Sequence, residues 1–298
     1  MPKTGRVIAI MLTTASAALA GCVNNQGSTD MRATRSDEPT VAADPALAAK
    51  VPAKIKDSGT LIIGTDPTYP PNEYKDPAGA IVGFDVELFD AVAAKLGLKT
   101  NYVGSTFDNI IPSVIGGTYQ VGVSSFTDNP EREHKVDMVA YFKAGIQWVA
   151  TAGSGVTPDS ACGLTVSVQT GTVQVDDLQA RSDKCVKEGK APISIQKFDA
   201  QADATTAVIL GKVNAMSTDF PVAVDAVKQS NGKVELIGQQ YDSAPYGYAI
   251  GKGQGELAQA VRGAVQALID DGTYGKILAK WGVTAGAVDG ATINPLTS

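Results

Sequence analysis

The 298-residue chain contains one histidine, His134, and three cysteines, Cys22, Cys162 and Cys185. A multi-histidine metal site is thereby excluded, and a Ser-His-Asp triad has a single residue to draw on. Three thiols cannot make a four-thiolate zinc site unaided. Their odd number leaves one to explain if the other two pair. Cationic side chains are scarce too: 25 Lys and Arg stand against 31 Asp and Glu, a net charge of −6. A binder of phosphate backbones needs a basic surface, so nucleic acid is not an expected partner. The N-terminal apolar run Val7–Ala20 is too short for a helix that crosses the bilayer core.

What is present points to export and a globular body. Apolar residues make up 44% of the chain and charged residues 19%, enough for a sizeable core. Lys3 and Arg6 precede the apolar run, which ends in Leu19-Ala20-Gly21-Cys22. A basic start, a short apolar stretch and small residues before the end describe a secretion signal. The Cys after Leu-Ala-Gly resembles a bacterial lipoprotein box. That resemblance implies cleavage after residue 21 and a lipid on Cys22, which anchors the protein outside the cell membrane. Removing Lys3 and Arg6 leaves 23 basic against 31 acidic residues, so the mature charge is −8. In an exported chain the remaining cysteines, Cys162 and Cys185, are expected to form a disulfide, contributing about 3 kcal/mol by loop entropy. Residues 22–54, polar and without aromatics, read as a tether with a short helix near Pro45–Lys50. Residues 285–298 read as a loose tail.

The region between is rhythmic. Leu61–Ile63, Thr100–Val103 and Tyr119–Val123 read as strands, separated by helices over Asp85–Leu96 and Phe107–Ile115. The same plan returns with strands Leu164–Val168, Ile193–Phe198 and Val213–Ser217 and helices from Gly171-Thr172 and over Asp203–Leu210. Two β-α-β-α-β runs imply two lobes, each a mostly parallel sheet covered by helices. Strands Lys233–Ile237 and Gly247–Ile250 follow. The helical stretch Glu256–Lys280, broken at Asp270-Asp271-Gly272-Thr273, completes one lobe or the other.

Ligands of open α/β sheets sit beyond the carboxyl ends of the strands. The residues found there are Asp66, Tyr69, Phe107, Ser124, Ser125, Thr127 and Arg132 in the first lobe, and Gln169, Gly171, Thr172 and Asp219 in the second. Arg132 offers a fork of donors for a carboxylate, and Thr127 lies beside the helix start Asn129-Pro130. Asp219 or Asp66 could hold an ammonium, and Tyr69 and Phe107 offer faces for an aliphatic stem or a cation. Taken singly, Arg132 lies in a charge run, Glu131–Lys135, that reads as a solvated helix face. Asp66 before Pro67 and Asp219 before Phe220-Pro221 read as turn residues. Their shared placement at strand ends raises them as a set. His134 reads as exposed and inert.

Six motifs in order resemble the extracytoplasmic solute-binding proteins of ABC importers, in the polar amino-acid group. They are Gly64–Pro71, Gly83–Leu88 with Ala91–Ala93, Phe107–Pro112, Pro130–Arg132, Ser167–Thr172, and Asp271–Tyr274 with Lys280-Trp281. The resemblance implies a two-lobe periplasmic-binding-protein fold with ligand in the cleft between lobes. Lobe 1 would be discontinuous, residues 55–145 plus 246–284, and lobe 2 residues 146–245, joined by two crossing strands. Arg132 would take the ligand α-carboxylate with Ser125 and Thr127, and Asp219 the α-ammonium. Tyr69 and Phe107 would flank the side chain, and Asp66 would meet a side-chain nitrogen. A basic or amide amino acid is favoured. No cofactor, metal or catalytic residue is implied. The expected partners are a small-molecule ligand and a membrane permease, with the protein itself a monomer. Gln120, Asn214 and Ser124 depart from the family pattern, the first two at turns that lead into strands.

Two other readings compete. Some relatives on this fold are dehydratases, and Asp66, Glu73 or Asp219 could serve as an acid in such chemistry. A sensor that presents ligand occupancy to a membrane partner would differ only in that partner.

Overall fold

The structure, a computed structural model, describes residues 1–2 and 41–297. Cys22 and all but the first two residues of the expected signal therefore lie outside the described residues. The first lobe opens with α1 (Pro45–Ala49), α2 (Ala53–Ser58) and β1 (Thr60–Thr65). A small antiparallel ribbon follows, β2 (Thr68–Tyr69), β3 (Glu73–Lys75) and β4 (Ile81–Val82). Next come α3 (Phe84–Lys95), β5 (Lys99–Gly104), α4 (Phe107–Ile115), β6 (Val121–Thr127) and α5 (Pro130–Lys135). The long strand β7 (Val136–Thr151) leads to β8 (Thr165–Gln169), α6 (Val173–Lys187), β9 (Ser194–Phe198), α7 (Gln201–Ile209), β10 (Ala215–Asp219) and α8 (Phe220–Gln229). A second long strand, β11 (Val234–Gly251), returns to α9 (Leu257–Asp270) and α10 (Thr273–Trp281).

The eight large strands run in the order β5-β1-β6-β11-β7-β10-β8-β9. At one end β1 lies parallel between β5 and β6, and at the other β8 lies parallel between β10 and β9. The two long strands pair antiparallel in the middle and belong to both halves. This is the two-lobe α/β fold that the motifs implied. Around β1 and β6 the first core collects Leu61, Ile63, Leu88, Val92 and Val121. It also takes Leu257, Val261, Val265, Leu268 and Leu278 from α9 and α10. The closing helices thus return to the first lobe. The second lobe has its own apolar clusters, around Trp148, Val166 and Leu178 and around Met216 and Val208. Cys162 and Cys185 are bonded to each other, with Cα atoms 5.6 Å apart, tying α6 to the segment before β8.

Four expectations change. Lys233–Ile237 and Gly247–Ile250 are two ends of one strand, β11, with register shifts between Ile237 and Ala244. The third strand starts at Val121, not Tyr119, and runs on to Thr127, because the Gln120 side chain turns back to accept from the Ile62 N–H at 2.7 Å. Residues 41–54 do not form a tether. Asp44 caps α1 through the N–H groups of Ala46 and Leu47. Val51 is buried, and Leu47 packs against the first core. The segment 285–298 is not loose as far as it is described. Ile293 bridges Val139, and Ala140 donates to Thr292 O at 2.9 Å. Asn294 donates its amide N–H to Met138 O at 3.0 Å, and its side chain accepts from Met138 N–H at 2.8 Å. The tail thereby covers the β7 backbone groups that β11 leaves unpaired.

Candidate functional site

The strands that end at the cleft deliver polar residues to it, as the strand-end rule requires. Asp66 follows β1, Ser125 and Thr127 close β6, Gln169 ends β8, and Asp219 ends β10 and starts α8. Phe107 opens α4. Asn129 caps α5 by accepting from the Arg132 N–H at 2.8 Å, with Pro130 at the first helical position, and so fixes where Arg132 departs.

Ten residues enclose a cavity of about 10 Å³ between the lobes: Tyr69, Phe107, Ser125, Thr127, Arg132, Gln169, Thr172, Val173, Gln174 and Asp219. Eight of these are sequence candidates. Asp66, Ser124 and Gly171 stand just behind the lining. Asp66 reaches the cavity wall through Gln169, whose Nε2 donates to Asp66 Oδ2 at 2.6 Å. Gly171 offers its carbonyl to Arg132 Nη2 at 3.1 Å. Ser124 faces away from the cleft: its Oγ accepts from the Asp66 N–H at 3.1 Å and donates to Glu73 Oε1 at 3.0 Å. Thr172 spends its hydroxyl on Gln169 O at 2.8 Å, leaving its backbone as the donor it can offer.

Arg132 is half-buried, not a member of a solvated face. Its guanidinium lies 5.4 Å from the Phe107 ring centre and 5.5 Å from that of Phe126, and those two rings stack on each other at 4.8 Å. Nη1 donates to Thr127 O. Burial lowers the Arg132 pKa to about 10, with Asp219 and Asp128 acting against the shift. It remains charged at neutral pH.

Asp219 is buried and accepts three hydrogen bonds. Tyr69 Oη and Tyr246 Oη each donate to Oδ2 at 2.7 Å, and Gln174 Nε2 donates to Oδ1 at 2.6 Å. Burial raises its pKa, and these donors with Arg132 pull the other way. Burial also pushes Asp66 up, to about 6, against hydrogen bonds from Thr68, Gln169 and the Phe107 backbone. Two acids and one cation therefore converge on the site. Gln174 and Tyr246 were not among the sequence candidates. Gln174 sits one turn past the Gly171-Thr172 motif and could have been found there. Tyr246 comes from the far strand β11, and nothing local marks it.

The family comparison decides what this geometry belongs to. The model of the bacterial extracellular solute-binding proteins, family 3, matches residues 61–284. The chain belongs to this family. An arginine-binding protein of Corynebacterium glutamicum is 38% identical to this solute-binding protein over 299 residues, 99% of this chain and 97% of that one. The structure of an ancestral arginine-binding protein bound to arginine matches with a TM-score of 0.70 and 35% identity, covering 75% of this chain and 98% of the other. An ancestral amino acid-binding protein, described as a precursor of cyclohexadienyl dehydratase, matches with a TM-score of 0.67 and 33% identity over 76% of this chain and 97% of the other. The relatives are amino-acid-binding proteins of ABC transporters rather than enzymes, and this solute-binding protein stands with them.

Proposed function

We propose that the protein captures a basic amino acid, arginine foremost, and presents it to an ABC permease. The charge at the cleft carries this reading. Arg132 is the one cation among the lining residues, facing Asp219, with Asp66 one hydrogen bond behind the wall. An α-carboxylate and α-ammonium neutralise Arg132 and Asp219, which leaves Asp66 for a cationic side chain. An acidic side chain would be set against Asp66, and an apolar one would leave its buried charge unpaired. The names of the arginine-binding relatives agree with this charge balance. Calorimetry against arginine, lysine, glutamine and glutamate tests it. The cationic ligands are expected to bind at least about tenfold more tightly than glutamine, about 1.4 kcal/mol, and glutamate weakest. Tighter binding of glutamate would reverse the assignment.

We propose further that Cys22 carries a lipid that holds the protein at the outer face of the cell membrane. The support is the sequence Leu19-Ala20-Gly21-Cys22 after a basic and apolar start. Replacing Cys22 by Ser is expected to move the protein from the membrane fraction to the soluble fraction. Unchanged membrane retention would argue against a lipid at that position.

A further inference from the structure

Beneath the cleft, two fully buried carboxyl groups lie side by side: Glu73 on β3 and Asp85 in the first turn of α3. Neither has a lysine or arginine within salt-bridge distance among the described residues. Both converge on Ser125. The Ser125 N–H and Oγ donate to Asp85 Oδ2 at 3.0 and 2.9 Å, and Tyr141 Oη donates to the same oxygen at 2.6 Å. Ser125 Oγ also lies 3.3 Å from Glu73 Oε2 and accepts from Asn72 Nδ2 at 2.8 Å. The hydroxyl has one proton, and the shorter bond to Asp85 takes it. Glu73 Oε2 then has no donor, and Asp85 Oδ1 is buried without a partner.

One proton placed between the carboxyls satisfies both oxygens. Asp85 already receives three donors on Oδ2, so it is the anion and Glu73 the neutral acid. The two groups meet at the Ser125 hydroxyl, and burial raises both, Glu73 well above its ordinary value and Asp85 to about 6. The groups that face the pair are hydroxyls and acids: Tyr141 from β7, Tyr248 from β11, Tyr102 from β5, Tyr69 from β2, and Asp66 beyond β1.

What the pair holds is unusual backbone. Ser125 has φ 50°, the left-handed region that side chains other than glycine rarely adopt. Gly122 pairs with Ala249 and Phe126 with Gly247, so three residues of β6 stand opposite one of β11. This bulge turns Ser125 and Thr127 toward the cavity. We infer that Glu73 keeps a proton at neutral pH, shared with Asp85, and that this singly charged pair is the positioning device for the Ser125 bulge that walls the ligand cleft. The inference rests on the proposed function only in taking that cleft as the ligand site.

The experiment compares Glu73→Gln and Asp85→Asn in the full chain. Chemical denaturation without ligand, from pH 5 to 8, reads the proton. A proton held in the folded state and released on unfolding makes the unfolding constant rise about tenfold per pH unit. Wild type is expected to show that extra slope over Glu73→Gln, whose amide mimics the neutral acid. Equal slopes would overturn the held proton. Arginine calorimetry at neutral pH reads the positioning. Asp85→Asn removes the charged acceptor of Ser125 and is expected to lose at least about tenfold more affinity than Glu73→Gln. Equal losses from the two isosteric amides would reduce the pair to packing. If Asp85→Asn does not fold, the slope comparison still decides the proton. If wild type binds none of the amino acids, the proposed function fails while the slope result stands.

Discussion

Asp66 shows what one buried carboxyl does when its partner is a neutral amide. Gln169 satisfies one oxygen across the cleft but brings no positive charge, so burial wins and the group titrates near 6. A cationic ligand side chain would stabilise the ionised form and pull that value down. Below about pH 6, binding a cation must then expel a proton from Asp66. The affinity for arginine is expected to fall as pH drops from 6 to 5, by up to about tenfold per unit. It should level off above pH 7, where Asp66 is already ionised. In Asp66→Asn the same titration should be flatter and the arginine affinity lower throughout, as calorimetry at each pH would show. An unchanged pH profile in that variant would place the titrating group elsewhere. Burial raises Asp219 too, but there Tyr246, Tyr69, Gln174 and the charge of Arg132 all pull against it.

At the scale of elements, the parts that repeat were legible and the parts that cross were not. The helices inside the two β-α-β-α-β runs and the flanking parallel strands announce themselves through apolar period and glycine stops, and they fall within a few residues of expectation, whereas α2 and α8 were not among the expected helices. Gln120 and Asn214, read as turn residues of capping character, do equivalent work in the two lobes. Gln120 accepts from Ile62 N–H at 2.7 Å and Asn214 from Thr165 N–H at 2.8 Å, each tying the third strand of its lobe to the first. Strand β7 gave no signal because it is buried on both faces from Met138 to Phe142 and again from Ala144 to Ala150, with no alternation to detect. It also begins directly after α5 with no glycine or proline between. Strand β11 was split because its middle, Gly238–Pro245, carries the residues of a loop. The tail from Ala291 docks by backbone pairing, which leaves no mark on composition. The site was legible for the same reason as the repeats: its residues follow strands. Apart from Gln174, one turn past a motif, what escaped was Tyr246 and the pairing of carboxyls under Ser125, both assembled from segments far apart in the chain.

For the whole molecule the question is how tightly the lobes meet. Side chains bond across the cleft, among them Tyr69 to Asp219, Gln169 to Asp66, Arg132 to the Gly171 carbonyl, and Thr68 Oγ1 as acceptor for the Gln201 N–H at 3.1 Å. The 10 Å³ they enclose has room for about one water, so an amino acid enters only when the lobes part. It then exchanges these bonds for its own, and the contacts it makes with both lobes at once favour closure. Gly171 of the second lobe packs against Phe107 and Asp108 of the first. A Cβ there would meet Asp108 Cβ of the first lobe at 3.0 Å, and its φ is +78°. The backbone cost of a side chain is present whether the lobes are open or shut, whereas the collision with Asp108 arises only on closure. Overpacking of this kind costs about 1–3 kcal/mol, so Gly171→Ala is expected to weaken ligand binding by about tenfold or more. It should also reduce the contraction in radius of gyration that ligand produces in solution X-ray scattering. A variant whose unfolding stability drops while its affinity and contraction stay at wild-type values would show that the left-handed turn, and not the meeting of the lobes, is what Gly171 serves.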